Sequence, residues 1–217
     1  MSIRVGVIGG RGHTGKELLS LLATHPEFTV ACASSRSLEG QAVDDYVGQP
    51  MDLTFQNLSP DDLPEMDACI LALPNDKSEA YVTAIDNHQP DCVVCDLSSD
   101  HRFHRDWYYG LPEHNRAYSA GEKRISNPGC YATAMQLAIK PVTHLLQGNT
   151  HCFGVSGYSG AGTTPSDKND TTLLKDNLLP YAPTGHIHEK EGNFPLSNRP
   201  RPFNSGISED SSINLAA

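Results

Sequence analysis

The segment VGVIGGRGHTGKELLSLL, beginning at Val5, restricts the fold of this chain more than any other. An apolar strand pattern from Ile3 to Ile8 runs straight into Gly9-x-x-Gly12-x-x-Gly15, and a helical pattern follows over residues 12–23. The three glycines would do separate jobs. Gly9 permits a tight turn, Gly12 lets backbone N–H groups approach a pyrophosphate at the helix N-terminus, and Gly15 allows the helix to pack closely on the strand. The spacing departs by one residue from G-x-G-x-x-G, and Gly10 adds further freedom. A merely flexible turn is the alternative, but the strand before and the helix after favour a dinucleotide site.

The same alternation continues, with strand patterns over Phe28 to Ala33, Ala68 to Leu73 and Cys92 to Leu97. Apolar runs interleaved with helical patterns indicate a parallel α/β sheet. Residues 34–64 and 99–124 lack a clear period and read as loops over that sheet. A helical pattern from Tyr131 to Leu146 is interrupted by Pro141, where a kink is expected. From Gly192 onward the chain is polar, rich in proline and without period. It is expected to be disordered or poorly packed and unable to offer partner strands to residues 150–191.

The formal net charge of −10 argues against a surface that wraps nucleic acid or lies on anionic lipid. No run approaches the ~20 apolar residues of a membrane span, and a cytoplasmic location is expected. Six cysteines, at 32, 69, 92, 95, 130 and 152, lie in apolar runs, as reduced thiols would. Cys92 and Cys95 have the spacing of a redox or metal pair. Inside a strand, residues three apart point to opposite faces, so buried strand cysteines are the simpler reading.

Three positions bear on chemistry. Where an NAD enzyme usually places an acid to hold the ribose, this chain has Ser34, Ser35, Arg36 and Ser37, and two hydroxyls with a guanidinium suit the extra phosphate of NADP. A solvated turn is the alternative. Cys130 follows Asn127-Pro128-Gly129 and opens a helical run, where unpaired N–H groups and the helix dipole favour a thiolate; a small buried hydrophobe is the competing reading. His186 and His188, in HIHE, would supply a general acid–base to that thiol. They are also readable as zinc ligands or surface histidines, although no acid or cysteine cluster completes a metal site, and none is expected.

Taken together, GGRGHTG, SSRS, DLSSDHRF, YGLPEHNR, SNPGCYATA, GVSGYSGAG and LLPYAPTGHIHE occur in the order found in N-acetyl-gamma-glutamyl-phosphate reductases. The chain resembles that family from Ile3 to Glu191, and SNPGCYATA with VSGYSGAG carries most of the specificity. Aspartate-semialdehyde and glyceraldehyde-phosphate dehydrogenases share the general plan but match the flanking words less well. The resemblance implies NADPH-dependent reductive dephosphorylation of N-acetyl-glutamyl 5-phosphate to the 5-semialdehyde, a step of arginine biosynthesis, through a thioester on Cys130 with His186 or His188 moving the proton.

It further implies that NADP(H) is held by Gly9, Gly10, Arg11, Gly12, His13, Thr14, Gly15 and Ser34 to Ser37, joined by Leu73, Pro74, Ser98, Ser159 and Gly160. Arg102, Arg116, Asn127 and Ser156 would bind the substrate. The SGYSGAG loop is equally readable as a structural turn. Family members are longer, so the expected fold class is α/β: a Rossmann-type doubly wound parallel sheet over 1–128, an incomplete α+β catalytic domain over 129–191, and an atypical tail over 192–217. A homo-oligomer is expected where the second domain is complete. A non-catalytic NADP-binding remnant and an aspartate-semialdehyde-dehydrogenase-like reductase are the alternatives.

Overall fold

The structure is a computed structural model that describes residues 2–193 and 213–216. The chain forms two compact units. The first comprises Met1–Arg102, Asp106–Tyr109 and Gly121–Asn127; the second comprises Phe103–Arg105, Gly110–Ala120 and Pro128–Ala217.

In the first unit, β1 (Ile3–Ile8), α1 (His13–Ala23), β2 (Phe28–Ser34), α2 (Val43–Val47), β3 (Ala68–Leu71), α3 (Glu79–His88), β4 (Val93–Asp96), β5 (Tyr108–Tyr109) and β6 (Arg124–Ser126) follow one another. The six strands make one sheet in the order β2-β1-β3-β4-β6-β5, and every pairing is parallel. The chain leaves β2 at one side of β1 and returns as β3 on the other. Ligands of open α/β sheets bind at such a reversal, outside the carboxyl ends of the strands.

Because side chains alternate across a strand, β1 feeds two cores. Val5 and Val7 pack with Leu19, Leu22, Val30, Val43 and Phe55, whereas Ile8 packs with Cys32, Cys69, Leu71, Ile85 and Val94. Both faces of the sheet are therefore covered, as a parallel sheet requires. Burial pushes the thiols of Cys32, Cys92 and Cys95 up to about 11, so they stay protonated and unreactive near neutral pH. Among the described residues no cluster of three or more His, Cys, Asp and Glu is arranged for a metal. None of the described helices is long and apolar enough to cross a membrane.

Two expected loops carry structure. Residues 34–64 hold α2, and Ala42 and Thr54 bridge as a strand pair, with Val43 and Phe55 inside the core. Residues 99–124 contribute β5 and the short helix α4 (Pro112–Asn115), while Trp107, Tyr108, Tyr109 and Leu111 are buried. In both segments the apolar residues are too sparse to show a period, yet each is pinned by sheet or core contacts.

The second unit contains α4, α5 (Cys130–Ile139), β7 (Thr150–Phe153), α6 (Ile187–Asn193) and β8 (Ile213–Ala216). α5 ends two residues before Pro141 and continues as a 3-10 turn over Lys140–Leu145, since proline cannot donate within a helix. Most of the tail, residues 194–212, lies outside the described residues. Its last part corrects one expectation: β8 pairs in parallel with β7, Thr150 opposite Ile213 and Phe153 opposite Ala216. The stretch INLA is short, but four backbone pairings do not need a long apolar period.

Candidate active site

Backbone geometry shapes the nucleotide loop. Gly9 has φ +92°, and a Cβ there would strike the Ala72 carbonyl at the end of β3, so the loop after β1 lies against the loop after β3. The N–H groups of Gly9 and Gly10 donate to the Ser34 carbonyl at 3.1 and 2.9 Å, tying the loop to the end of β2. A Cβ on Gly15 would lie 2.6 Å from the Gly9 carbonyl oxygen and 2.8 Å from the Gly10 Cα, so close packing of α1 demands glycine. Gly12 differs. As the N-cap of α1 it carries no side chain, and a Cβ would meet only the Gly9 oxygen at 3.8 Å. Open space therefore lies beside first-turn N–H groups that lack partners within the helix, a cradle that fits a dinucleotide pyrophosphate.

Around this cradle, Arg11, His13 and Thr14 are exposed, beyond β3 Leu73 is half-buried and Pro74 exposed, and Leu73 approaches Gly9 directly. Ser34 and Ser35 are buried: the Ser34 hydroxyl accepts from the Leu58 N–H at 3.3 Å, and the Ser35 N–H donates to the Gln56 carbonyl at 2.8 Å. Arg36 and Ser37 follow at the carboxyl end of β2 with exposed side chains.

The loop after β4 is organised by a buried polar network that the sequence did not announce. Asp96, fully buried, accepts from the Ser98 N–H at 2.9 Å and from its hydroxyl at 2.8 Å. Its other contact is His101 Nδ1 at 2.6 Å, and His101 Nε2 reaches Glu79 at 3.1 Å. Burial opposes charge on His101, but the hydrogen bonds to Asp96 and Glu79 outweigh it and raise its pKa above 6.5. The ring stacks on Trp107 at 3.9 Å. Arg102 is buried beside it, donating from Nε to the Asn127 carbonyl at 2.9 Å and from Nη2 to the Leu97 carbonyl at 3.1 Å. Ser98 and Arg102 thus hold the loop itself together, and the Asn127 N–H donates to the Asp96 carbonyl at 2.8 Å.

In the second unit Cys130 is the first residue of α5 and is exposed. Gly129 caps the helix with an extended backbone, φ −67° and ψ 155°. A Cβ at Gly129 would collide with the His188 ring, so the imidazole stands directly against the residue preceding Cys130. Behind it lies Glu191, with a fully buried carboxylate that accepts from the Gly129 N–H at 3.0 Å and approaches His188 Nε2 at 3.8 Å. Glu191 was missed in the sequence. Its spacing three residues after His188, on one helical face, was the available signal.

His186 is placed differently. Its Nδ1 accepts from the His188 N–H at 3.1 Å, and its Nε2 faces the Tyr181 hydroxyl at 3.5 Å. Burial lowers its pKa, so the ring is neutral near pH 7. Tyr131 meets both imidazoles edge to face, with centroids 5.4 and 5.9 Å away.

Cys130, His186 and His188 open onto a cavity of about 840 Å³, lined also by Ser156, Gly160, Lys168 and Tyr181. That volume suits a small-molecule ligand. The Ser156 hydroxyl donates to the Gly157 carbonyl at 3.1 Å, and Ser159 and Gly160 sit on the same turn, Tyr158–Ala161. Arg116 is exposed on the turn Arg116–Tyr118 and does not line this cavity.

Residues 4–121 match a family model described as semialdehyde dehydrogenase, NAD binding domain, and residues 130–202 match semialdehyde dehydrogenase, dimerisation domain. The N-acetyl-gamma-glutamyl-phosphate reductase of Xanthomonas campestris pv. campestris is 55% identical over 190 residues, covering 86% of this chain and 60% of that protein. The protein of the same name from Stenotrophomonas maltophilia is 54% identical over the same shares. The chain thus spans 60% of the length of these curated relatives. Aspartate semialdehyde dehydrogenase with NADP from Candida albicans has a similar solved structure, with a TM-score of 0.68 and 17% identity over 100% of this chain and 67% of that one. At that identity the likeness is one of fold. Since the first family model alone takes in more than half of its residues, the chain belongs to the semialdehyde dehydrogenase family.

Proposed function

We propose that this chain carries the nucleotide-binding and thiol-catalytic parts of an NADP-dependent N-acetyl-gamma-glutamyl-phosphate reductase. The observation that carries the reading is the seating of His188 against Gly129, next to Cys130, with the buried Glu191 behind the ring. A thiol at a helix N-terminus, an imidazole beside it and a carboxylate orienting the imidazole are the parts of an activated nucleophile.

Cys130 sulfur attacks the acyl carbon of the acyl phosphate, the carbon–oxygen bond to phosphate breaks, and phosphate departs with the electron pair, leaving a thioester. The cradle formed by Gly9, Gly10, Gly12 and the first turn of α1 would hold NADPH, which would supply the hydride that reduces the thioester. His188 gives a proton to the resulting oxyanion and takes it back as the carbon–sulfur bond breaks, releasing the aldehyde and restoring the thiolate. His186, neutral and bonded through Nδ1 to the His188 N–H, positions that ring instead of moving the proton itself.

Ser35, Arg36 and Ser37 supply the hydroxyls and the guanidinium expected around the 2′-phosphate of NADP, and the name of the 55%-identical relative supplies the acyl substrate. The match of residues 130–202 to a dimerisation domain supports a homo-oligomer, and unreactive buried thiols suit a cytoplasmic setting.

The test is an NADP-linked assay in the oxidising direction with N-acetyl-glutamate 5-semialdehyde and phosphate, on the parent chain and on Cys130→Ser. Phosphate-dependent NADPH formation is expected from the parent and none from the variant, which should still bind NADP. Turnover by Cys130→Ser near the parent rate would reject the nucleophile.

A further inference from the structure

The cavity beside Cys130 has a charge pattern that the reading above leaves unused. Its acyl-phosphate substrate carries both a phosphoryl group and a carboxylate, whereas the chain as a whole has a net charge of −10 and repels anions. A local cation is therefore needed. Within the second unit Arg116 does not line this cavity, and neither Asp nor Glu does among the described residues. Burial lowers the pKa of His186 against the opposing pull of Glu191 and Glu189, and the Lys168 ammonium adds to the lowering, so this ring does not supply the cation. Lys168 is thus the one side chain of fixed charge among the described lining residues.

Its position is built. The neighbouring Asn169 side chain staples the loop, donating to the carbonyls of Gly162 at 3.0 Å and Thr164 at 2.7 Å, and accepting from the Ser166 N–H at 2.8 Å. Lys168 Nζ then lies 4.7 Å from the centroid of the Tyr181 ring, whose hydroxyl faces His186. This cation–π contact with an aromatic of the cavity wall sets the exposed ammonium at the rim of the cavity.

We propose that Lys168 is the anion-binding residue of the Cys130 cavity and selects acyl substrates that carry an oxyanion group. The inference rests on Cys130 being the reactive thiol of that cavity, and its test separates the two. Iodoacetate and iodoacetamide have nearly the same shape and differ in charge, so the ratio of their alkylation rates at Cys130, read by peptide mass mapping, reports the local potential.

Lys168→Met should lower the iodoacetate-to-iodoacetamide ratio about fivefold, the size expected if the ammonium comes within roughly 4 Å of the entering carboxylate in water. Lys168→Arg should keep the ratio, and added salt should lower it in the parent only. Inorganic phosphate and N-acetylglutamate serve as competing probes. Stronger Lys168-dependent protection by phosphate assigns the site to the phosphoryl group, and stronger protection by N-acetylglutamate assigns it to the carboxylate. An unchanged ratio in Lys168→Met overturns the inference and leaves Cys130 as the nucleophile. A parent Cys130 inert to both reagents overturns the catalytic reading and the inference with it.

Discussion

Gly129→Ala tests how far the placement of His188 governs the chemistry. The backbone at Gly129 is extended, φ −67° and ψ 155°, which alanine adopts without strain. Alanine restricts the unfolded chain and so contributes about 0.4–1 kcal/mol of stability, while it is a poorer N-cap than glycine by a comparable amount. The two effects nearly offset, so the loss of stability should be that of the overpacking alone, about 1–3 kcal/mol. The new methyl group collides with the His188 ring. To restore a ~3.5 Å contact the ring must retreat by roughly 1 Å. It has little room to do so: its side chain is 11% exposed, Glu191 Oε1 stands 3.8 Å away, and the His186 and Tyr131 rings lie at 4.6 and 5.9 Å between centroids. A displacement of about 1 Å in a nucleophile–base pair costs on the order of 100-fold in rate. The assay is phosphate-dependent NADPH formation beside thermal unfolding, with NADP affinity as a control. Turnover within about twofold of the parent, in a variant still folded at the assay temperature, would show that the placement of His188 does not govern the chemistry.

Arg36→Glu removes the guanidinium at the end of β2 and offers a ribose acceptor, so NADP affinity should fall roughly 10- to 100-fold while NAD affinity changes far less; equal loss of both in a binding titration would sink the NADP assignment. His101 makes stability depend on pH. Its folded pKa is raised above 6.5, so the stabilisation is fully present below pH 6.5 and is lost as pH climbs through the folded value. Urea midpoints above pH 6.5 should therefore decline in the parent and decline less in His101→Gln; parallel slopes would refute the network's role. Glu191→Gln keeps one acceptor for the Gly129 N–H but removes the charge behind His188, and should lower turnover more than it lowers the unfolding midpoint; the reverse order would make Glu191 a purely structural residue.

Local sequence determined much of the nucleotide half. The positive φ of Gly9 and the contact of Gly15 with the preceding turn are short-range steric demands, so glycine spacing after a strand announces them directly. The sheet's strands were legible for the same reason, since burial on both faces leaves continuous apolar runs in β1, β3 and β4. The place of Cys130 at the start of α5 was legible from its Pro-Gly entry.

Only tertiary structure decided the rest, because the deciding contacts join residues far apart in the chain. The ring that meets Gly129 comes from position 188, and the carboxylate that accepts its N–H comes from 191. The i,i+3 spacing puts Glu191 on the face of His188, but that this face meets Gly129 and is buried there is decided only by the fold. The strand partner of β7 arrives from positions 213–216, where a four-residue run is too short to carry a periodic signal. The hydrogen bonds of Ser98 to Asp96 and of Arg102 to the carbonyls of Asn127 and Leu97 were likewise not legible, since a buried carboxylate and buried carbonyls must be hydrogen-bonded wherever the donors come from.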